Sequence, residues 1–414
     1  MARIEKQNIL EQYEKNTIRY AIEVNRQRAI PDYRDGLKTV ARRIIDFMYF
    51  DLPQTKTHTV KSVRIVGGVL GKTHFHGDTA CYEAMVPMTN WFQIKYPLIK
   101  GQGNWGTIAG DDQAAMRYTE AGLSEFCLEV LINDLKESKT IIDWKANFDN
   151  TTVEPEYFAP ALPLLLINGT FGIGYGIKVD IPKHNLVEVI DATLNLINNP
   201  DSEVILIPDQ CMPIQIFDTN WKQICNIGHG QYKVRGIIDI EYNKDKPLVI
   251  IKSTPDFVTL NSIVESINGL ISSKQLPQVY DMNDEDPRGK YPLRYVIELK
   301  RGSDPNFVRD IIYKKTQMEK TYTINFEVLD GIDLVRMSYK SYLQAFIEFR
   351  KITKFRLYCA RLQQVESKLH EKEIYIMLLK SGKIDEVIHK IRNRKEGEDG
   401  ELLDWLIKEF KITP

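Results

Sequence analysis

The chain has 414 residues, 43% of them hydrophobic and 27% charged, ordinary proportions for a folded protein of about two to three domains. Its 55 Lys and Arg nearly balance 56 Asp and Glu, leaving a formal charge of −1; a uniformly basic chain is thereby excluded, though not a local basic stripe. No apolar run approaches the ~20 residues of a membrane span, and Met1 to Gln7 carry no apolar stretch of a secretory signal.

In chain order, Ile9 to Gln27 reads as a helix, with Ile9, Tyr13, Tyr20 and Val24 near helical spacing. Ala29-Ile30-Pro31-Asp32 breaks it, and a helix restarts from Lys38 to Phe50 with Val40, Ile44 and Phe47 on one face. Arg26, Arg28, Arg34, Lys38, Arg42 and Arg43 crowd this region, while Glu285, Asp286 and other acids elsewhere balance the total. A short helix over Val63 to Leu70 leads to His74-Phe75-His76-Gly77-Asp78. Asp78 is the expected N-cap of a second helix, whose buried face is Cys81, Met85, Met88 and Phe92. Two short helices around a Gly-containing turn suit a helix-turn-helix, and Pro87 is expected to kink or end the second.

Loops follow at Gly101-Gln102-Gly103-Asn104-Trp105-Gly106 and Ala109-Gly110-Asp111-Asp112, then Ala114-Ala115-Met116-Arg117-Tyr118-Thr119-Glu120. From about 150 to 330 short strands and helices alternate, with Lys233 to Ile240 and Tyr295 to Leu299 as strands. Toward the end, Phe355, Leu362, Leu369 and Ile376 are spaced by seven, with Tyr358, Val365 and Leu379 between them and Lys372 interrupting the seam. This is the pattern of a coiled-coil helix, although periodicity alone equally allows a buried helix in a bundle.

Two tempting sites fail on spacing. Gly67-Gly68-Val69-Leu70-Gly71-Lys72-Thr73 lacks the first glycine of a phosphate loop, which would fall at Val66. His74 and His76 have metal-ligand spacing but no third ligand beyond Asp78, so no metal site is expected in this chain. The five cysteines (Cys81, Cys127, Cys211, Cys225, Cys359) form no Cys-x-x-Cys pair and suit a reducing compartment.

Taken together and in order, Arg28-Ala29-Ile30-Pro31-Asp32-Tyr33-Arg34-Asp35-Gly36-Leu37-Lys38, His74-Phe75-His76-Gly77-Asp78, Gly101 to Gly106, Ala114 to Glu120, Asn168-Gly169-Thr170-Phe171-Gly172-Ile173-Gly174, Ile181-Pro182-Lys183-His184-Asn185 and a Lys314 to Glu319 helix resemble the breakage-reunion subunits of type IIA DNA topoisomerases. That family takes in the A subunit of gyrase, the matching topoisomerase IV subunit and the medium subunit of phage enzymes. The resemblance implies an α+β multidomain chain: an N-terminal helical arm (1–34), a winged-helix DNA-gate domain with the tyrosine (35–148), an α/β tower domain (149–335) and a long, incomplete coiled-coil arm (336–414).

It also implies roles. Tyr118 is the nucleophile that joins the 5′ phosphate of each cut strand, and Arg117 the charge beside it. A phenol of pKa ~10 is only ~0.1% ionised at neutral pH, so such a neighbour matters. His74 and His76 position the phosphate; Arg28, Lys38, Arg42 and Arg43 contact DNA; and Ile173 wedges between base pairs. Pro87 stands where many relatives carry Arg, leaving Lys95 as the nearby charge. Thr79 and Glu83 face quinolone-type inhibitors, with Thr79 predicting weak sensitivity. Mg²⁺ and ATP belong to a TOPRIM- and ATPase-bearing partner chain, and the partners are double-stranded DNA, that chain, and a second copy giving a heterotetramer in a bacterial or phage-infected cytoplasm. Because Leu402 to Pro414 reaches only the start of the family's terminal globule, a weak dimer is expected. A non-catalytic winged-helix DNA-binding or architectural protein is the alternative.

Overall fold

The computed structural model describes residues 9–285, 293–393 and 399–410; Asp286 and the ends of the N-terminal and C-terminal expectations lie outside them. The fold is mixed α/β and divides into two compact units, Met1–Lys136 with Ile142–Ile352, and Glu137–Ile141 with Thr353–Pro414.

In the first unit, helix α1 (Ile9–Val24) runs into a π-helical turn, Asn25–Ala29. Ile30 and Pro31 then end it, since the residue before proline disfavours helical dihedrals. Helix α2 (Thr39–Asp46) buries Ile44 and Ile45 and likewise closes in a π turn, Phe47–Asp51. Strand β1 (Val60–Lys61), α3 (Ser62–Lys72), α4 (Asp78–Thr89), β2 (Ile99–Gln102) and β3 (Glu120–Leu123) form the next layer. Its antiparallel sheet has the order β1-β3-β2, with Val60 opposite Ala121 and Ile99 opposite Leu123.

Helix α4 departs from the expectation at both ends. Gly77 is the N-cap and Asp78 the first helical residue, where its carboxylate still faces the positive end of the helix dipole. Pro87 lies inside the helix, close to its end as expected. Its missing N–H falls in the last turn, the helix stops two residues later at Thr89, and Phe92 lies beyond it.

After the hairpin β4 (Trp144–Ala146) and β5 (Val153–Pro155) come α5 (Leu164–Asn168), β6 (Thr170–Ile173), β7 (Lys178–Ile181), α6 (Leu186–Asn198), β8 (Ile214–Ile216), α7 (Trp221–Ile227) and β9 (His229–Gly236). Then follow β10 (Ile238–Asn243), β11 (Lys246–Ile251), α8 (Leu260–Ser272), β12 (Val279–Asp284), β13 (Tyr295–Leu299), α9 (Pro305–Lys315), β14 (Glu319–Asn325), the hairpin β15 (Glu327–Asp330) and β16 (Asp333–Arg336), and the start of α10 (Tyr339–Ser381). These build a five-stranded sheet, β6-β7-β14-β9-β8, and a four-stranded one, β10-β11-β13-β12.

The single strand expected over Lys233 to Ile240 is split at Ile237, and its halves join different sheets. Gly236 permits the crossing: a Cβ there would lie 2.4 Å from the Ser253 carbonyl oxygen. The helix expected over Lys314 to Glu319 contains only Lys314 and Lys315, because Met318 is buried and Glu319 opens β14. One core, with Leu165, Ile167, Val179, Phe326, Tyr339 and Tyr342, underlies the five-stranded sheet. A second, with Val249, Ile263, Ile267, Ile297 and Val308, joins α8 and α9 to the four-stranded sheet.

The second unit holds most of α10 with α11 (Ile384–Asn393) and α12 (Asp399–Phe410). The heptad residues Phe355, Leu362, Leu369 and Ile376 are exposed along α10. Arg361 pairs with Glu137, and Lys383 with Glu409. No helix among the described residues is long and apolar enough to cross a membrane.

Candidate nucleic-acid interface

A cavity of about 760 Å³ opens between α2, the outer edge of α4 and the β6–β7 side of the large sheet, with Arg28, Lys38, Ala41, His76, Ala84 and Phe171 among its walls. Four of the expected residues line it, Arg28, Lys38, His74 and His76, with Arg43 beside His74. Arg43 makes a two-pronged pair with Glu154 (2.6 and 2.9 Å), and its Nη1 lies 3.3 Å from His74 Nδ1. Arg28 Nη2 stands 3.5 Å from His76 Nδ1, and the two imidazoles meet edge-on at 4.8 Å.

A guanidinium can only donate. Each Nδ1 facing an arginine must therefore accept, which puts the ring hydrogen of both histidines on Nε2. Burial, then the Arg43 charge, pushes His74 down to about 4. Burial and then Arg28 lower His76 as well. Near neutral pH the pair is thus two uncharged rings, His76 exposed and His74 buried behind it, flanked by two arginines.

The other basic residues meet different fates. Arg42 is buried, not aimed at solvent: Asp35 accepts two bonds from its guanidinium, at 2.6 and 2.9 Å, and Leu37 O a third at 3.1 Å. Asp35 also accepts from Leu37 N and Phe158 N, both at 2.9 Å. This contrasts with the phosphate contact expected of Arg42. Lys38 donates to Phe171 O at 2.5 Å, and burial lowers its pKa. Lys95 is paired with Asp209 and only partly exposed, so it is not a free substitute for the arginine absent at Pro87. Lys72 pairs with Asp51 at 2.6 Å and Asp46 at 3.4 Å, a structural use of the sequence rejected as a phosphate loop.

Ile173 ends β6 at a hairpin tip and is 71% exposed; Tyr175 beside it is 61% exposed. The tip is braced by Asn25, whose side chain donates to Tyr175 O (3.1 Å) and accepts from Tyr175 N (2.6 Å). A Cβ on Gly172 would sit 2.1 Å from the backbone Ala29 O, which requires glycine there, and one on Gly174 would lie 2.2 Å from Asn25 Oδ1, so a side chain at 174 would displace the brace.

Tyr118 is 64% exposed, with the Arg117 guanidinium 4.8 Å from its ring centre. The backbone around it is held firmly. Tyr118 N donates to Ala115 O (2.8 Å), Tyr82 on α4 donates to Ala114 O (2.7 Å), and the buried Thr119 hydroxyl bonds Ser62 (2.9 Å). Neither Arg117 nor Tyr118 lines the cavity that holds the histidines. Thr79 and Glu83 are exposed on successive turns of α4. Among the described residues no group of three or more His, Cys, Asp or Glu could hold a metal ion.

Sequence reasoning did not find Glu154, which orients Arg43, or Asn25, which braces the hairpin. Neither belongs to a local pattern, and each acts on a residue more than a hundred positions away.

Comparison with known proteins defines the class first. The family model for the A subunit of DNA gyrase and topoisomerase IV matches residues 28–411. The DNA gyrase A subunit of Deinococcus deserti is 37% identical over 413 residues, 98% of this chain and 50% of that protein. The DNA topoisomerase 4 A subunit of a Synechocystis species is 38% identical over 363 residues, 84% of this chain and 39% of that one. The chloroplastic/mitochondrial gyrase A subunit of Nicotiana benthamiana is 38% identical, covering 95% and 42%. The chain belongs to the family of DNA gyrase and topoisomerase IV A subunits, and it spans about half the length of these relatives or somewhat less.

Proposed function

We propose that this chain is the DNA-breaking and rejoining part of a type II topoisomerase, with Tyr118 as its nucleophile. The observation that carries the reading is an exposed tyrosine with a guanidinium over its ring, on a segment whose backbone is pinned, in a member of this family. The Tyr118 oxygen, its proton lost to water, forms a bond to phosphorus. The P–O3′ bond breaks, the 3′ oxygen leaves and takes up a proton, and the phosphate stays on the 5′ end as a tyrosyl ester. Reversal reseals the strand without ATP, because the ester retains the energy of the original bond. Arg117 supplies positive charge where negative charge accumulates on the phosphate.

The helix pair α3–α4 with its small sheet is read as a winged helix, the 149–335 region as a tower, and α10 as a coiled-coil arm. Arg28, Arg43 and the Nε2–H groups of His74 and His76 hold the backbone phosphate, and Ile173 wedges into the bent duplex. Lys38 serves from the floor of the groove. A partner chain brings the ATPase and the acidic residues for Mg²⁺, an ion that would neutralise phosphate charge during cleavage, and two copies of each make a heterotetramer acting on double-stranded DNA. The test is trapping with denaturant after incubation with the partner subunit, Mg²⁺ and end-labelled duplex. A covalent adduct on the 5′ end of the break, absent in Tyr118→Phe, supports the reading. DNA binding without any adduct returns the chain to a non-catalytic binding protein, and a 3′ link would indicate recombinase-like chemistry.

A further inference from the structure

The loop that feeds the tyrosine segment does not rest on its own layer alone. Thr107–Gly110 folds as a tight turn: Gly110 N bonds Thr107 O at 3.1 Å, and the Thr107 hydroxyl bonds Asp111 Oδ2 at 2.7 Å. Its tip reaches the first turn of α8, where Asn261 N donates to Ala109 O at 2.9 Å. That amide is one of the N-terminal donors for which a helix has no internal acceptor. Thr259 caps a neighbouring one by accepting from Ser262 N at 3.3 Å. Ile108 and Ala109 pack against the core beneath α8 and the four-stranded sheet. At Gly110, φ is +110° and a Cβ would lie 2.8 Å from Thr259 Cβ, so the approach admits glycine only.

The other end of the loop is fixed on α4. Asn90 donates to Trp105 O at 2.8 Å, and the Trp105 ring lies 5.5 Å from that of Tyr82, which itself holds Ala114 O. Asn104 O then accepts from Ala114 N at 3.0 Å. Residues 104–114 therefore form a closed span with one foot on α4 and one on α8, and Arg117 and Tyr118 begin three residues past its end.

From this geometry we infer that the Ile108–Gly110 turn and the N-terminus of α8 form a latch that positions the Tyr118 segment for cleavage. The latch touches neither DNA nor the tyrosine side chain. Its residues are positioning residues, acting through the backbone of 111–118. The inference rests on the proposed role of Tyr118, but its first readout does not.

Two variants approach the latch from opposite sides. Asn261→Pro removes the donor to Ala109 O, at a first-turn position where helices tolerate proline, and Asn261→Ala keeps that donor as the control. Ile108→Ala trims the half-buried foot of the turn and decides the matter if the proline variant does not fold. Amide hydrogen exchange on the chain alone should show Ala114 and Tyr118 exchanging roughly 10-fold faster in both latch variants but not in Asn261→Ala, with the melting transition retained. With the partner subunit, Mg²⁺ and saturating duplex, adduct formation should fall by roughly 10- to 100-fold while DNA affinity stays within about twofold. Unchanged exchange at Ala114 and Tyr118 overturns the latch. Faster exchange with undiminished adduct formation at saturating DNA overturns its positioning role. A parent chain that forms no Tyr118-dependent adduct defeats the proposed function instead, and leaves the exchange result to decide the latch.

Discussion

The groove cluster and the tyrosine tip are built on opposite plans. In and beside the groove each candidate side chain has a protein partner: Arg43 holds Glu154 and His74, Arg28 faces His76, and Lys38 holds the Phe171 carbonyl. At the tip the backbone is fastened but the side chains are left exposed, touching little beyond each other. A binding surface gains from partners that fix its shape before the ligand arrives, since ordering then costs less on binding. A nucleophile must instead leave its protein contacts for the phosphate, so fixing the main chain and leaving the side chain uncommitted suits it better.

Substitutions can probe this contrast at several points. The largest effect is expected at the tip: Tyr118→Phe should abolish the covalent adduct yet leave duplex affinity, measured by fluorescence anisotropy, within about twofold. Retained adduct would move the nucleophile elsewhere. Next is Arg42→Ala, which strands the fully buried Asp35 carboxylate and should lower unfolding stability by about 3–5 kcal/mol in urea melts. The neighbouring Arg43→Ala should cost less in the same melts, because Glu154 keeps Lys145 at 3.7 Å, and should weaken DNA binding instead. Equal stability losses would erase the distinction drawn between these adjacent arginines.

Arg117→Ala should slow cleavage of bound DNA by roughly 10²–10³-fold with little change in melting temperature, since the side chain is exposed. A loss confined to affinity would make it an anchor. The groove offers a pH signature. His74 titrates near 4 when folded, below its ordinary 6.5. The unfolded chain therefore binds the proton first, and this residue withdraws stability as pH falls from about 6.5 toward 4. An NMR titration should find its imidazole neutral at pH 6 in the free protein, and protonation with an ordinary midpoint would contradict the buried, arginine-flanked ring. The smallest effect concerns α4, where Thr79→Ser should raise quinolone sensitivity several-fold in a cleavage assay. Strong poisoning of the parent, unchanged by Thr79→Ser, would argue against a drug contact there.

Much of the fold was legible wherever a local period or breaker carried the signal. The α3–α4 pair, the Ile30-Pro31 break and the strand at Tyr295 to Leu299 all follow from nearest-neighbour chemistry. What escaped depends on distant partners. Arg42 and Arg43 are indistinguishable in sequence, and only Asp35 turned inward and Glu154 arriving from a remote hairpin separate them. Lys95 looked available until Asp209 folded over it. The strand over Lys233 to Ile240 read as continuous because its break serves a sheet-to-sheet crossing that no local pattern announces. The tyrosine and histidine motifs could be picked out as candidates from sequence, whereas the tautomers followed only from which arginine each ring faces.

The Asn25 brace has a consequence for how the hairpin can evolve. Its amide binds the N–H and the C=O of residue 175, both main-chain groups, so it gauges the length of the turn and is blind to the side chains upon it. Inserting or deleting one residue between 173 and 176 would break both bonds at once, and a side chain on Gly174 would collide with the amide. Positions 173 and 175 carry no such constraint. The tip thus behaves as a socket of fixed reach with interchangeable points, so single substitutions at 173 and 175 change what it presents to its surroundings while its geometry is inherited intact.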